Sequence, residues 1–232
     1  MVEFPVVTVD GLGSTGKGTL SRALSRSLGW QLLDSGAIYR VLAYAATARG
    51  IATTDEAALT ALAHALAIEF LPDEAGMTRV LLDGAVVTGP IRSEACGQAA
   101  SMVAALPGVR SALVQRQRDF AAIGPGLVAD GRDMGTVIFP QAPAKLFLTA
   151  DPAERAQRRY NELKQKGNNV TLAQVLDQLQ RRDARDAQRA VSPTVPAKDA
   201  IILDTSKMTA DKVFKQALRV VQDRFQLSVA AT

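Results

Sequence analysis

Apolar residues along this chain alternate between two periods. Val6, Val7 and Val9 form a β-branched run, and beyond the glycine-rich stretch that follows, Leu20, Leu24 and Leu28 recur at one-turn spacing. The same switch from extended run to helical stripe repeats. Short apolar runs at Trp30 to Leu33, Leu127 to Ala129, Lys145 to Ala150 and Ala200 to Leu203 follow the first, each separated from the next by helical stretches. Five strands alternating with helices predict an α/β domain with a parallel sheet and three layers.

Local signals sharpen the boundaries. Gly29 is placed to cap the first helix in a left-handed conformation. Thr53 stands three residues ahead of Glu56 in capping-box register, before a stripe of Leu59, Leu62, Ala63 and Leu66. From Ala67 to Thr88 the period turns extended, with Ile68 and Phe70, then Val80 and Leu82, and an Asp83-Gly84 turn signal before Val86, so a small antiparallel sheet is expected there. Helices over Ile91 to Ala105 and Val109 to Ala121 are separated by Pro107-Gly108, and the small-residue run Gly97 to Ser101 permits close approach by another element or a ligand. Asp151, Pro152 and Glu154 spell a helix start, and Thr171 with Gln174 restarts a helix after the polar stretch Lys164 to Asn169.

Composition narrows the classes. With 232 residues, 47% hydrophobic and 22% charged, the chain has enough material for a full core. A net charge of +4 without a long basic run suits a small anionic ligand and argues against a dedicated nucleic-acid surface. Cys96 and His64 are each alone, so a disulfide is excluded and a His/Cys metal site is disfavoured. No signal segment or membrane span is expected, and the single cysteine leans towards a reducing, cytoplasmic setting.

Chemistry concentrates at strand ends. Gly11, Leu12, Gly13, Ser14, Thr15, Gly16 and Lys17 match G-x-x-x-x-G-K between a strand and a helix, the context in which backbone N–H groups and a lysine cradle phosphates. The residue after Lys17 is Gly18, and the hydroxyl arrives one place later as Thr19. Asp34-Ser35-Gly36 with Tyr39 and Arg40 follows the second strand, and Asp130-Gly131-Arg132-Asp133 follows the third, where Asp130 takes the Mg²⁺-orienting position. Arg110, Arg116 and Arg118 lie on one helix without needing to share a task. Arg155, Arg158 and Arg159 mark one helical face, and Arg182, Arg185 and Arg189 with Asp186 mark another. Opposed across a loop, the Arg158/Arg159 face and the Arg182/Arg185/Arg189 face would clamp transferring phosphates beneath a short lid over Lys164 to Asn169.

Four segments carry a more specific resemblance: the glycine loop through Thr19, Leu33 to Arg40, Asp130 to Val137, and Arg182-Asp183 through Arg189-Ala190. Over essentially its whole length the chain resembles the bacterial cytidylate kinases, a nucleoside monophosphate kinase group of P-loop proteins. The resemblance implies ATP-dependent phosphorylation of CMP and dCMP with Mg²⁺, small nucleotides as partners, and a monomer. It places Ser35, Arg40, Arg132 and Arg189 at the acceptor nucleotide, chiefly its α-phosphate. Asp34 supports the loop, Ser101, Arg110 and Asp133 read the cytosine, and Arg182 and Asp186 sit at the pentose and neighbouring phosphate. Lys17, Arg132, Arg158, Arg185 and Arg189 are the candidate catalytic groups, Arg159 a further nucleotide contact, and Thr19 and Asp130 the candidate metal ligands. The organisation expected is a core of residues 1–34, 122–155 and 190–232, a monophosphate-binding region 35–121 containing the 67–88 insert, and a lid region 156–189. Leu12 and Thr15 depart from the usual loop and are expected to point outward from the cradle. Other P-loop kinases acting on UMP, AMP or shikimate, or a non-catalytic nucleotide-dependent regulator, are the alternatives; no Asn-Lys-x-Asp segment favours a GTPase.

Overall fold

The computed structural model describes residues 4–72 and 78–226. Residues 73–77 of the 67–88 insert and the ends of the 1–232 span therefore lie outside the described residues. In chain order the elements are β1 (Val6–Gly11), α1 (Lys17–Leu28), β2 (Gln31–Asp34), α2 (Ser35–Ala48), α3 (Glu56–Ala65), β3 (Ile68–Pro72), β4 (Thr78–Leu82), β5 (Ala85–Val86), α4 (Glu94–Val103), α5 (Pro107–Asp119), β6 (Leu127–Asp130), β7 (Ala144–Thr149), α6 (Pro152–Gln165), α7 (Leu172–Ala187), β8 (Ile201–Asp204) and α8 (Ala210–Phe225). No helix among the described residues is long and apolar enough to cross a membrane.

The chain divides into two units, one of residues 1–33 and 118–232 and the other of Asp34–Gln117. The first is built on a five-stranded sheet in the order β2-β6-β1-β7-β8. β1 is central, pairing in parallel with β6 from Val6↔Leu127 and with β7 from Val7↔Ala144. Central position and burial on both faces account for its β-branched run. Because successive side chains point to opposite faces, Val7 and Val9 meet Leu20 and Leu24 of α1 and Val213, Ala217 and Val221 of α8 in one core cluster. Leu24 is fully buried, which contributes about 1.5–3 kcal/mol of hydrophobic stabilisation. Thr8 and Asp10 point to the other face and are also buried.

In the same unit α6 and α7 form a helical hairpin with its own small core of Ala156, Leu163, Val175 and Leu179. Thr171 and Gln174 complete the expected capping box at the start of α7. The polar stretch between the helices is a compact turn in which Gly167, at φ +77°, and the Asn168 backbone N–H return to the Lys164 and Leu163 carbonyls.

The second unit holds α2 to α5 and the antiparallel sheet β3-β4-β5, the small insert expected from the extended period. Three local readings need correction. Asp55, not Thr53, caps α3 by accepting from the Ala58 N–H, because the helix begins at Glu56; the Glu56 carboxylate instead accepts from the Gly108 N–H. Pro107 opens α5 as its first residue, where a missing N–H costs nothing. Asp151 stands at the start of α6 without a side-chain cap bond.

Candidate active site

The glycine loop joins β1 to α1 in the first unit. Gly11 ends the strand at φ +139°, where a Cβ would lie 2.2 Å from the Leu148 carbonyl oxygen, so only glycine lets β1 run this close to β7. Ser14 has φ +59° and Gly16 φ +92°, and α1 begins without a side-chain cap. The first-turn N–H groups of α1 are thereby left for an anion. The Thr15 hydroxyl donates to the Leu12 carbonyl at 3.0 Å and the Lys17 ammonium donates to the same oxygen at 2.7 Å. Thr15 is buried and braces the loop from inside, correcting the expectation that it points outward.

Lys17 is 6% exposed. Burial and then the positive charge of Arg132 push its ammonium down to about 7, with Arg182 adding to the effect and Asp130 and Asp10 opposing it. A lysine among arginines is a site awaiting negative charge. The residue of α1 that lies against Asp130 is Gly18: a Cβ there would be 3.5 Å from Asp130 Oδ2 and 3.3 Å from Arg22 Nη1. Neither distance forbids a Cβ, since 3.5 Å is an ordinary contact and the arginine tip can give, so space does not explain glycine at the position of the expected hydroxyl. Thr19, one position on, is exposed.

After β6 the chain makes a single wide turn, Met134–Ile138, absent from the periodicity. Its start is held from the sheet, because the Asp10 carboxylate accepts from the backbone N–H groups of Met134 at 2.9 Å and Gly135 at 2.8 Å. Burial raises Asp10 to about 7 against those two bonds, and Asp133 and Asp130 add repulsion. Asp133 is itself buried.

Arg132 and the end of α7 form the cationic part of this unit. Asp186, 2% exposed, accepts from Arg132 Nε at 3.3 Å and from Arg189, and Arg182 Nε stands 4.0 Å away. Burial works to raise the Asp186 pKa, but Arg132, Arg189 and Arg182 together outweigh it and hold the carboxyl below its ordinary range. The shared face of Arg182, Arg185 and Arg189 is not kept. α7 ends at Ala187, so Arg189 lies beyond the helix and reaches back to Asp186, while Arg185 is exposed.

The α6 arginines are distributed differently from the expected clamp. Arg158 donates to the Thr205 hydroxyl at 3.1 Å and to the Thr205 carbonyl at 2.5 Å, and Arg159 pairs with Glu162 at 2.6 Å. The Thr205 hydroxyl in turn is 2.9 Å from the Thr15 carbonyl, tying the loop after β8 to the glycine loop. Arg155 is the group that spans α6 and α7: it is buried, pairs with Asp183 at 2.6 Å and donates to the Gly13 carbonyl at 3.2 Å. Charge spacing alone could not separate Arg155 from its neighbours, since all three share a helical face.

In the second unit, Asp34 caps α2 by accepting from the Ala37 N–H at 3.0 Å. Arg40 donates to the carbonyls of Ile91 and Ser93 at 2.8 and 3.2 Å, and its guanidinium packs on Gly97, where a Cβ would lie 2.8 Å from Nη2. The small-residue run thus receives an arginine. Arg110 is buried, donates to the Ala104 carbonyl at 3.0 Å and lies 5.6 Å from the Tyr39 ring centre. Arg116 instead meets the Leu66 carbonyl, so these two have separate tasks, and Arg118, in the first unit, meets the carbonyls of Ile138 and Val137. Ser35 and Ser101 are buried. His64 is exposed.

Strand, glycine loop, buried lysine and a carboxylate-bound arginine group define a P-loop phosphotransferase. A family model described as cytidylate kinase matches residues 7–223. The cytidylate kinase of Shewanella frigidimarina is 53% identical over 225 residues, covering 97% of this chain and 98% of its own. That of Shewanella amazonensis is 52% identical over 97% of each, and that of Pseudomonas entomophila 52% identical over 92% of this chain and 94% of its own. The chain belongs to the cytidylate kinase family.

Proposed function

We propose that this protein transfers the γ-phosphoryl group of ATP to CMP or dCMP, giving ADP and CDP or dCDP. The observation that carries the reading is the buried Lys17, whose ammonium is held down to about 7 by burial, Arg132 and Arg182, at a glycine loop where α1 begins without a side-chain cap. Phosphates bound there restore the ammonium charge, which then tracks the moving group. The acceptor phosphate oxygen is already anionic, so alignment and charge neutralisation suffice and no side chain acts as nucleophile. Arg132 and Arg189, and through them Asp186, are the groups assigned to hold the acceptor phosphate in line.

Mg²⁺, when bound, supplies charge neutralisation on the donor phosphates. Asp130 fits it, since this ion takes one or two carboxylates and fills its remaining positions with phosphates and water. No group of three or more His, Cys, Asp or Glu residues suited to a metal occurs among the described residues. Thr19 is the hydroxyl assigned beside it. The reading includes a monomer and a lid at Lys164 to Asn169.

Base choice is assigned to Ser101, Arg110 and Asp133. Cytosine offers an amino donor beside a ring acceptor and uracil the reverse, so a carboxylate and an arginine discriminate between them. The test is a coupled assay of ADP release with CMP, dCMP, UMP, AMP and no acceptor, in the parent and in Asp133→Ala. CMP and dCMP should be used well by the parent and UMP poorly, and the variant should lose most of the CMP preference. An unchanged CMP-to-UMP ratio of kcat/KM removes Asp133 from base reading, and acceptor-independent hydrolysis removes the kinase assignment.

A further inference from the structure

The second unit contains a buried hydrogen-bond chain whose direction is determined. Ser35, the first residue of α2 and 4% exposed, donates its hydroxyl proton to Gln117 Oε1 at 2.7 Å. Gln117, in the last turn of α5 and fully buried, donates from Nε2 to the Leu113 carbonyl at 3.1 Å. An amide could in principle be turned end for end. Here the turned form would set Oε1 against the Leu113 carbonyl, two acceptors in contact in a buried place, so the oxygen must face Ser35.

The consequence falls on Ser35. A hydroxyl has one proton and two acceptor lone pairs, and the proton is committed to Gln117. We propose that Gln117 is a positioning residue that fixes the Ser35 hydroxyl as a hydrogen-bond acceptor, so that Ser35 meets a donor group of the acceptor nucleotide and not one of its phosphate oxygens. This rests on the reading above that Ser35 faces that nucleotide, and it alters the expectation that Ser35 serves the α-phosphate. Nucleotide donors are of two kinds, the exocyclic amino group of the base and a pentose hydroxyl. Both are donors to a lone pair, whereas an ionised phosphate is not.

A double-mutant cycle decides the matter, with kcat/KM measured for CMP, dCMP and UMP and KM for ATP in Ser35→Ala, Gln117→Met and the pair. Losing one directed hydrogen bond corresponds to about a three- to tenfold fall in kcat/KM for CMP. Each single variant should show it through KM for CMP, with KM for ATP unchanged, and the double variant should be no worse than Ser35→Ala. A fall in the CMP-to-UMP ratio assigns the donor to the amino group, and a fall in the CMP-to-dCMP ratio assigns it to the 2′-hydroxyl. Equal losses for all three nucleotides that persist with 2′,3′-dideoxy-CMP would make the partner a phosphate and overturn the proposal, as would single effects that multiply, whereas a loss that vanishes with the dideoxy nucleotide assigns the donor to the 3′-hydroxyl. If Ser35→Ala changes nothing, the placement of Ser35 fails with it; if Ser35→Ala acts and Gln117→Met does not, only the role of Gln117 fails. Should Gln117→Met not fold, Gln117→Glu, protonated in this buried place, can donate to the Leu113 carbonyl while keeping an acceptor towards Ser35, and should retain the parent's base and pentose ratios; their loss in that variant overturns the proposal.

Discussion

Replacing Asp186 by Asn removes a buried carboxylate that lies among Arg132, Arg182 and Arg189 while keeping its shape. At an effective dielectric of 20, unit charges about 4 Å apart interact by roughly 4 kcal/mol, and the Arg132 contact at 3.3 Å and the Arg182 contact at 4.0 Å fall in that range. Desolvation of a carboxylate that is 2% exposed offsets part of this. Removing one partner of a buried pair costs about 3–5 kcal/mol, and because Arg182 is about a third exposed, solvent screens some of the repulsion left behind. The expected loss is therefore at the lower end, about 3 kcal/mol, or about 6–12 °C in Tm for a chain of this size. Thermal unfolding followed by circular dichroism should show it, and inorganic phosphate should recover more stability in the variant than in the parent, since an anion takes the place of the carboxylate. The pH dependence has a definite sign. A carboxyl held below its ordinary 3.8 contributes stability above that value and loses it as pH falls through the depressed one, so the parent should show an acid slope that Asp186→Asn lacks. A Tm change under 2 °C with no phosphate dependence would mean that the three arginines do not depend on Asp186.

Lys17→Ala should lower turnover by several orders of magnitude with little loss of Tm, and near-normal turnover would remove the glycine loop from catalysis. Because Lys17 is held down to about 7 and phosphates favour its charged form, ADP binding at pH 8 should take up protons; calorimetry in two buffers of different ionisation enthalpy reads this, and zero uptake refutes it. Gly97→Ala should displace the Arg40 guanidinium from the Ile91 and Ser93 carbonyls, raising KM for CMP several-fold while KM for ATP holds, and equal shifts in both would refute the link. Amide exchange over Lys164 to Asn169 should slow when a bisubstrate mimic binds, and unchanged exchange counts against a lid.

Many patterns that are local in the chain were legible without coordinates, though not the caps of α3 and α6, where Asp55 rather than Thr53 accepts the N–H and Asp151 makes no cap bond. Strand and helix periods, the Gly29 cap, the Thr171 capping box and the Asp83-Gly84 turn depend on residues within a turn or two of one another, and each is where the periodicity put it. So is the glycine loop, because its chemistry needs only a strand, a tight turn and a helix start. Partner choice among like residues was decided by tertiary structure. Arg155, Arg158 and Arg159 are equivalent on a helical face, yet one spans to Asp183 and Gly13, one holds the Thr205 loop and one pairs with Glu162. Asp10 and Met134 are 124 residues apart, and Ser35 and Gln117 are 82 apart. No spacing rule reaches across such distances. Which buried donor finds which acceptor depends on strand order and helix docking, and those follow from packing the whole chain.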